Sequence, residues 1–135
     1  MQKSRLRAAI LNAADRNAAL VIKNAKIVNV FTEEIIEGDV AMRDGIIIGV
    51  GDYSGKAEID AKGGYLCPGL IDGHVHIESS MAHPSRFANV ILEKGTTSII
   101  ADPHEIANVC GADGIQYMLD QTEWLPLSVF LMMPS

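Results

Sequence analysis

The chain has 135 residues, of which 48% are hydrophobic and 21% are charged, as in one ordinary globular domain. Its 17 acidic and 11 basic residues give a formal net charge of −6, so we expect no binding to nucleic acid. No apolar run approaches the ~18 residues of a membrane-spanning helix, and polar residues interrupt the first apolar stretch, so we expect neither membrane association nor a signal peptide. Cys67 and Cys110 form no C-x-x-C pattern, which favours two buried thiols in a reduced, cytoplasmic protein.

The first half of the chain predicts one helix followed by a β unit. Residues 1–19 are expected to form an amino-terminal helix, because apolar residues recur there at i, i+3, i+4 spacing: Leu6, Ala9, Ile10, Ala13 and Ala14. Residues 20–65 hold closely spaced strand candidates and predict a small antiparallel β unit: "LVIKN", "KIVNVF", "EIIEGDVAMR" and "GIIIGV". Between the last two lies Asp44-Gly45, a pair that closes tight hairpins because both residues tolerate positive φ.

The second half, residues 66–135, alternates between strands and helices. One helix is predicted in "PSRFANVILEKG", with Pro84 suited to its first turn and Gly95 to its termination, and another in "GADGIQYMLDQTEW". The first strand, at residues 66–74, is apolar with little alternation, which predicts that it is buried on both faces. This order implies an α/β fold with a parallel sheet, whose neighbouring strands are expected at 66–74, 96–102 and 126–132.

Polar residues follow the first two of these strands. The carboxyl ends of parallel strands meet at one edge of a sheet, where functional residues collect. Alternation along a strand would place the side chains of His74, His76 and Glu78 on one face. Imidazole and carboxylate groups bind zinc, iron or manganese, and Asp72 could orient a ligand. The candidate residues are His74, His76 and Glu78 after the first strand, and Asp102, His104 and Glu105 after the second.

Simpler interpretations of these residues stay open. The first three could be unrelated polar residues on a solvated edge, and Glu78-Ser79-Ser80 could cap a helix. Asp102-Pro103 could be an ordinary turn, followed by a solvated loop that contains His104 and Glu105. His83 precedes a helix and is interpreted as a solvated turn residue. Neighbouring strands of a sheet lie ~5 Å apart, so under the metal-site interpretation we expect His104 or Glu105 to lie closer to the histidine pair than His83 does.

The motif "PGLIDGHVHIESS" resembles the first barrel strand of the amidohydrolase superfamily, and residues 20–65 are similar to the small β-sandwich of that superfamily. Within it, "HVHIESSM", "GTTSIIADPHEIANVCG" and "MMPS" resemble the bacterial adenine deaminases. The resemblance covers residues 20–135 and is most specific in "ADPHEIANV". It implies that residues 66–135 are the start of a (β/α)8 TIM-like barrel, with about three strands and two helices, preceded by part of an antiparallel β-sandwich.

The same resemblance implies metal-dependent hydrolysis of adenine to hypoxanthine and ammonia. It assigns His74 and His76 as ligands of a divalent metal (manganese, iron or zinc), and leaves Glu78, Asp102, His104 and Glu105 as candidates for the substrate site or a second metal site. In that family the proton-shuttling Asp comes from a later barrel strand, expected beyond residue 135. A complete barrel needs ~250 residues, so we interpret the chain as an amino-terminal fragment that is inactive alone, and expect that the full-length enzyme could form a homo-oligomer.

Three other functions are considered. Zinc nucleobase deaminases combine H-x-E with a downstream P-C-x-x-C; His76-Ile77-Glu78 matches the first motif, but the second is missing from the sequence. Another amidohydrolase, either a cyclic-amide hydrolase or a different deaminase, is compatible with the same motifs. A non-enzymatic remnant with a partial metal site would instead bind metal weakly and expose hydrophobic surface.

Overall fold

The computed structural model describes residues 2–14 and 16–134. Met1 and Asp15, which belong to the predicted helix, and Ser135 of the "MMPS" motif lie outside the described residues. None of the helices in the described ranges is long and apolar enough to cross a membrane. The elements in chain order are α1 (Gln2–Ala14), β1 (Ala18–Asn29), β2 (Glu34–Arg43), β3 (Ile46–Gly51), β4 (Gly55–Asp60), β5 (Tyr65–Leu66), β6 (Leu70–Val75), a 3₁₀ turn (Glu78–Ser80), α2 (Pro84–Leu92), β7 (Thr96–Ala101), α3 (His104–Cys110), α4 (Ala112–Thr122) and β8 (Ser128–Leu131).

The described residues form two compact units, one that ends at Pro68 and one that begins at Gly69. Strands and helices are mixed along the chain, so the prediction of an α/β fold is confirmed at that level. Cys67 and Cys110 are both free and exposed. The prediction that they are buried is wrong, because each lies at the end of an element, after β5 and at the last residue of α3.

Helix α1 is shorter than the sequence predicts, and much of its apolar stripe is exposed. It ends at Ala14, and β1 already begins at Ala18, within the predicted helical range. Leu6 and Ile10 of the apolar stripe are 62% and 61% exposed, whereas Ala13 packs against the core of the first unit. Helical spacing therefore predicts the helix itself, and it does not show how much of the apolar stripe is covered.

The sheet of the first unit is mixed rather than antiparallel. Its strand order is β3-β2-β1-β4, with β5 also paired to β1. The pairs β1–β2 and β2–β3 are antiparallel, but β4 and β5 both run parallel to β1. The antiparallel prediction holds for β1, β2 and β3. The two parallel pairs arise because two strand candidates join into the 12-residue β1, which has room for two successive partners on its second edge. The hairpin at Asp44-Gly45 is confirmed by φ angles of 53° and 72°.

A bulge in β1 is stabilised by one carboxylate of β2. The register between these strands shifts, and Asn24 in the bulge has a positive φ of 56°, a conformation that Asn tolerates better than most residues. The Asn24 N–H donates to Asp39 Oδ1 at 3.0 Å. Lys23 Nζ donates to Asp39 Oδ2 and to the carbonyl oxygen of Tyr53. Asp39 therefore accepts hydrogen bonds from both residues of the bulge.

The same contacts shift two pKa values in opposite directions. The hydrogen bond from Lys23 is the main cause that lowers the pKa of Asp39 below 3.8. The hydrogen bond to Asp39 is the main cause that raises the pKa of Lys23 above 10.5. By linkage, the Asp39 contribution to stability is present above pH ~3.9 and is lost as the pH falls through the lowered pKa. The Lys23 contribution is present below 10.5 and is lost as the pH rises through the raised pKa.

We predict that Asp39→Asn lowers the melting temperature at neutral pH and flattens its fall between pH 4 and pH 2. The reason is that the amide cannot lose a charge-assisted hydrogen bond by protonation. Melting curves followed by circular dichroism at a series of pH values measure both effects. Asp44→Asn is the matched control, because Asp44 is exposed and its nearest cation, Arg43, lies 3.9 Å away. Equal acid slopes for the parent chain and Asp39→Asn would contradict this assignment.

The second unit contains the parallel sheet that the sequence predicts. Its order is β6-β7-β8, and both pairs are parallel, so the predicted pairing is confirmed. The first strand is shorter than expected, because Tyr65–Leu66 pair with β1 and the parallel strand begins only at Leu70. Helix α2 begins at Pro84, as predicted, and Gly95 follows it with a φ of 90°.

The core of this unit lies between β7 and the helices. Ile99 and Ala101 are two residues apart on β7 and both are fully buried, so they share one face of the sheet. They belong to one hydrophobic cluster with Ala88 of α2 and Met118 of α4. Both helices therefore cover the same face of β7.

Strand β6 is exposed, contrary to expectation. Leu70 and Ile71 are 58% and 71% exposed, although a strand buried on both faces was predicted from its apolar sequence. Among the described residues β6 is an edge strand whose sheet partner is β7 alone. An apolar run shows that a strand is suited to burial, but its actual burial depends on the neighbours that cover it.

Candidate metal centre

A bulge shapes the carboxyl end of β6. Asp72 pairs with Ile99 and Val75 pairs with Ala101, so β6 has one residue more than β7 between these pairs. His74 lies in this irregular stretch, and its N–H donates to Asp72 Oδ1 at 3.1 Å. Bulges of this kind redirect side chains and are frequent beside functional sites. Asp72 thus contacts the backbone of His74 rather than its ring.

The two histidines face each other across their Nε2 atoms, which are 3.1 Å apart. His76 Nδ1 lies 2.9 Å from the carbonyl oxygen of Asp102. A carbonyl only accepts hydrogen bonds, so His76 Nδ1 must carry the proton. The Nε2 of the neutral His76 ring then has a lone pair that accepts from His74 Nε2 in the metal-free chain and could bind a metal instead. A separation of 3.1 Å is short enough for both Nε2 atoms to bind one ion at the usual ~2.0–2.1 Å.

The segment after β7 is helical rather than the turn and solvated loop considered from the sequence. His104 is the first residue of α3, and Glu105 lies in its first turn. The His104 ring meets the His76 ring edge to face with centroids 4.6 Å apart, and His104 Nδ1 lies 3.3 Å from Asp102 Oδ2. Ser79 Oγ donates to Glu105 Oε1 at 2.6 Å. Both side chains of this turn therefore approach the end of β6.

Two overlapping groups of side chains have the composition of a metal site. In each group the ligand atoms all lie within 4.8 Å of one another, and His76 belongs to both. Asp102 is 8% exposed, and within the described chain its Oδ1 atom is buried without a hydrogen-bond partner. A buried, unpaired carboxylate oxygen is costly unless a donor or cation satisfies it. The groups are His74, His76 and Asp102, and His76, His104 and Glu105.

Glu78 and His83 lie outside both groups. Glu78 belongs to the 3₁₀ turn, so the expectation that it shares a strand face with His74 and His76 is wrong. Its Oε1 accepts the N–H of Ile106 at 3.3 Å. His83 is the N-cap of α2 and accepts the N–H of the second following residue through Nδ1. The contact of His104 with His76 agrees with the expectation that His104 lies nearer to the pair than His83 does.

The amidohydrolase family matches residues 65–135, slightly more than half of the chain. The chain belongs to the amidohydrolase family. Adenine deaminase of Geobacillus kaustophilus is 63% identical over 123 residues, which cover 91% of this chain. Adenine deaminase of Clostridium acetobutylicum is 58% identical over 120 residues, which cover 89% of it. This amidohydrolase chain spans only 21% of the length of each of these two relatives.

Solved structures show the same fold. L-hydantoinase (dihydropyrimidinase) from Arthrobacter aurescens superposes with a TM-score of 0.66 at 22% identity, and the match covers 84% of this amidohydrolase chain and 27% of the hydantoinase. N-acyl-D-glutamate deacylase from Bordetella bronchiseptica, solved with zinc and a phosphonate inhibitor, gives a TM-score of 0.55 at 22% identity, covering 63% and 18% of the two chains. At this identity the likeness concerns the fold alone.

We predict that His76 and His83 carry opposite ring tautomers when both are neutral. His76 should be protonated at Nδ1, where it donates to the Asp102 carbonyl, whereas His83 should be protonated at Nε2, because its Nδ1 accepts a backbone N–H. Long-range ¹H–¹⁵N correlation spectra of the metal-free chain distinguish these states, with His83 as the internal reference. A His76 ring protonated at Nε2 would contradict the assigned hydrogen bond.

Proposed function

We propose that this chain is the amino-terminal part of a metal-dependent enzyme that hydrolyses adenine to hypoxanthine and ammonia. The observation that carries the proposal is the 63% and 58% identity to two proteins named adenine deaminase. Those matches reach only a fifth of each relative, so the activity of a whole protein is inferred here. The hydantoinase and the deacylase share the fold at 22% identity, which gives no reason to prefer their substrate classes.

We also propose the domain organisation given by the family resemblance. The resemblance divides the chain into an amino-terminal helix at residues 1–19, part of the small β-sandwich domain at residues 20–65, and the first β/α units of a TIM-like barrel at residues 66–135. We propose this organisation with two adjusted bounds, since the helix ends at Ala14 and the two units divide after Pro68. The parallel order of β6, β7 and β8 supports this proposal, because successive βαβ units with parallel neighbours are the repeating unit of such a barrel.

The proposed metal ligands are His74 and His76, with Asp102 as a further candidate. Their ligand atoms fit one divalent ion by donor type and separation, and the unpaired Asp102 Oδ1 favours a cation. Manganese, iron and zinc all accept this mixture of imidazole and carboxylate ligands. Such a metal would lower the pKa of a water molecule toward ~7 and supply hydroxide at neutral pH. The deacylase solved with zinc is a precedent within the same fold.

A backbone carbonyl beside these ligands orients one of them. The Asp102 carbonyl holds His76 in the tautomer that leaves Nε2 free, which is the orienting contact that metal-bound histidines usually make. His104 and Glu105, with His76, are proposed as a second metal or substrate site. Glu78, which the family resemblance also made a candidate for that role, lies outside both groups. The proton-shuttling Asp is expected on a later strand, beyond residue 135, so residues 1–135 are proposed to be inactive alone.

The remaining assignments follow from this activity. The small-molecule partner would be the purine base adenine, and we propose neither a nucleic-acid nor a membrane partner. A cytoplasmic location and a homo-oligomeric full-length enzyme are part of the same proposal. Gel filtration of a full-length protein tests the latter.

We predict that this chain can replace the matching segment of the Geobacillus kaustophilus adenine deaminase. The chimera should release ammonia from adenine in the presence of Mn²⁺, because 63% of the 123 matched residues are identical. The 135-residue chain by itself should release none. An inactive chimera that is folded and metal-loaded would contradict the proposed function. Ammonia release by the isolated chain would contradict the proposal that catalysis depends on later barrel strands.

A second prediction concerns metal binding by the chain itself. Replacing both His74 and His76 by alanine should abolish stoichiometric Zn²⁺ binding, because the remaining groups would keep no more than one imidazole ligand each. Equilibrium dialysis followed by elemental analysis measures the bound metal. His83→Ala is the matched control, since His83 contacts Ser85 rather than the proposed ligands, and should bind as the parent does. Equally tight binding by the double variant would contradict the site.

A further inference from the structure

Helix α3 begins without a side-chain cap of its own. Its N-cap residue is Pro103, which makes no side-chain capping hydrogen bond. The first N–H groups of a helix have no partner within the helix and need one elsewhere. Here Glu78 supplies it, because its Oε1 accepts the N–H of Ile106 from a position 28 residues earlier in the chain. The cap of α3 is therefore provided by the 3₁₀ turn that follows β6.

The neighbouring residue of that turn makes a second bond to the same helix. Ser79 Oγ donates to Glu105 Oε1 at 2.6 Å, a charge-assisted hydrogen bond of the shorter and stronger kind. Two adjacent residues of the turn thus hold two adjacent residues of the first turn of α3. Ser80 makes no such bond; its Oγ donates to the carbonyl of Ile77 and accepts the N–H of Ala82 within its own turn.

These bonds join the two segments that carry the candidate ligands. His76 precedes Glu78 by two residues, and His104 is the first residue of the helix that Glu78 caps. The rings of His76 and His104, whose centroids are 4.6 Å apart, therefore belong to the two segments that these bonds connect. Glu78 also keeps Oε2 buried and, among the described residues, without a hydrogen-bond partner, a cost that a surface-exposed cap would avoid.

We propose that Glu78 and Ser79 are positioning residues that set the place of His104 and Glu105 relative to His76. They act through hydrogen bonds to α3 rather than as ligands themselves. The inference that these residues position α3 is drawn from their hydrogen bonds alone, whereas its consequence for metal binding rests on the proposed function.

The first test uses the metal-free 135-residue chain and its nuclear magnetic resonance spectrum. A nuclear Overhauser contact between the ring protons of His76 and His104 is expected in the parent. Glu78→Ala and Ser79→Ala should weaken or abolish it, whereas Glu78→Gln should retain it, because the amide oxygen can still accept the Ile106 N–H. Ser80→Ala is the matched control, since it removes an equivalent hydroxyl from the same turn without touching α3.

The outcomes separate positioning from other roles. Retention of the ring contact in both Glu78→Ala and Ser79→Ala would overturn the inference. Its loss in Glu78→Gln as well as in Glu78→Ala would also overturn it, because the charge would then matter rather than the hydrogen-bond acceptor. If Ser80→Ala lost it equally, the effect would come from the turn as a whole and the inference would fail.

A second test measures Zn²⁺ affinity in the same variants by equilibrium dialysis. Loss of an outer contact to a ligand usually costs about 10-fold to 100-fold in metal affinity. We expect a loss in that range for Glu78→Ala and Ser79→Ala, and parent-like affinity for Glu78→Gln and Ser80→Ala. If the parent bound no Zn²⁺, the proposed metal site would be contradicted. The nuclear Overhauser contact between His76 and His104 would still test whether Glu78 and Ser79 position α3.

Discussion

The candidate site depends on the way in which β6 and β7 end side by side. The Asp102 N–H donates to the Val75 carbonyl at 3.0 Å, and in return the Asp102 carbonyl accepts from the ring of His76. One residue thus extends the sheet through its N–H and orients a histidine through its carbonyl, while its carboxylate faces both candidate groups. Parallel pairing makes this possible because it brings two carboxyl ends to one edge.

Two carboxylate oxygens at this edge have no hydrogen-bond partner among the described residues. Asp102 Oδ1 and Glu78 Oε2 are buried without hydrogen-bond partners in the described part of the chain, a combination that is unfavourable in a structure selected for stability alone. His76, by contrast, contacts a carbonyl and two other imidazoles. A cation at the proposed metal site would satisfy the buried Asp102 oxygen and, by binding the folded chain, would stabilise it.

The Pro84 helix start and the Asp44-Gly45 hairpin could be predicted because each depends on residues close together in sequence. The parallel sheet of the second unit could be predicted because strands that alternate with helices along the chain favour parallel pairing. The mixed sheet could not, because the choice of β4 and β5 as parallel partners of β1 is made between distant segments. For the same reason hydrophobic pattern did not predict the exposure of Ile71. Residue type alone suggested six candidate side chains, of which the structure brings all but Glu78 into two groups. The helical state of His104 could not be predicted, since the cap of its helix comes from Glu78 in another element.

The separation of the candidate ligands along the chain determines the entropy cost of bringing them together in the folded chain. The hydrogen bonds that join the end of β6 to the start of α3 connect residues 26 to 28 positions apart. The entropy lost in closing such a loop grows only with the logarithm of its length, so doubling it would cost about 0.6 kcal/mol. This small cost applies only to the turns that flank α2, because α2 and β7 themselves pack in the core of the second unit and their lengths are fixed by that packing.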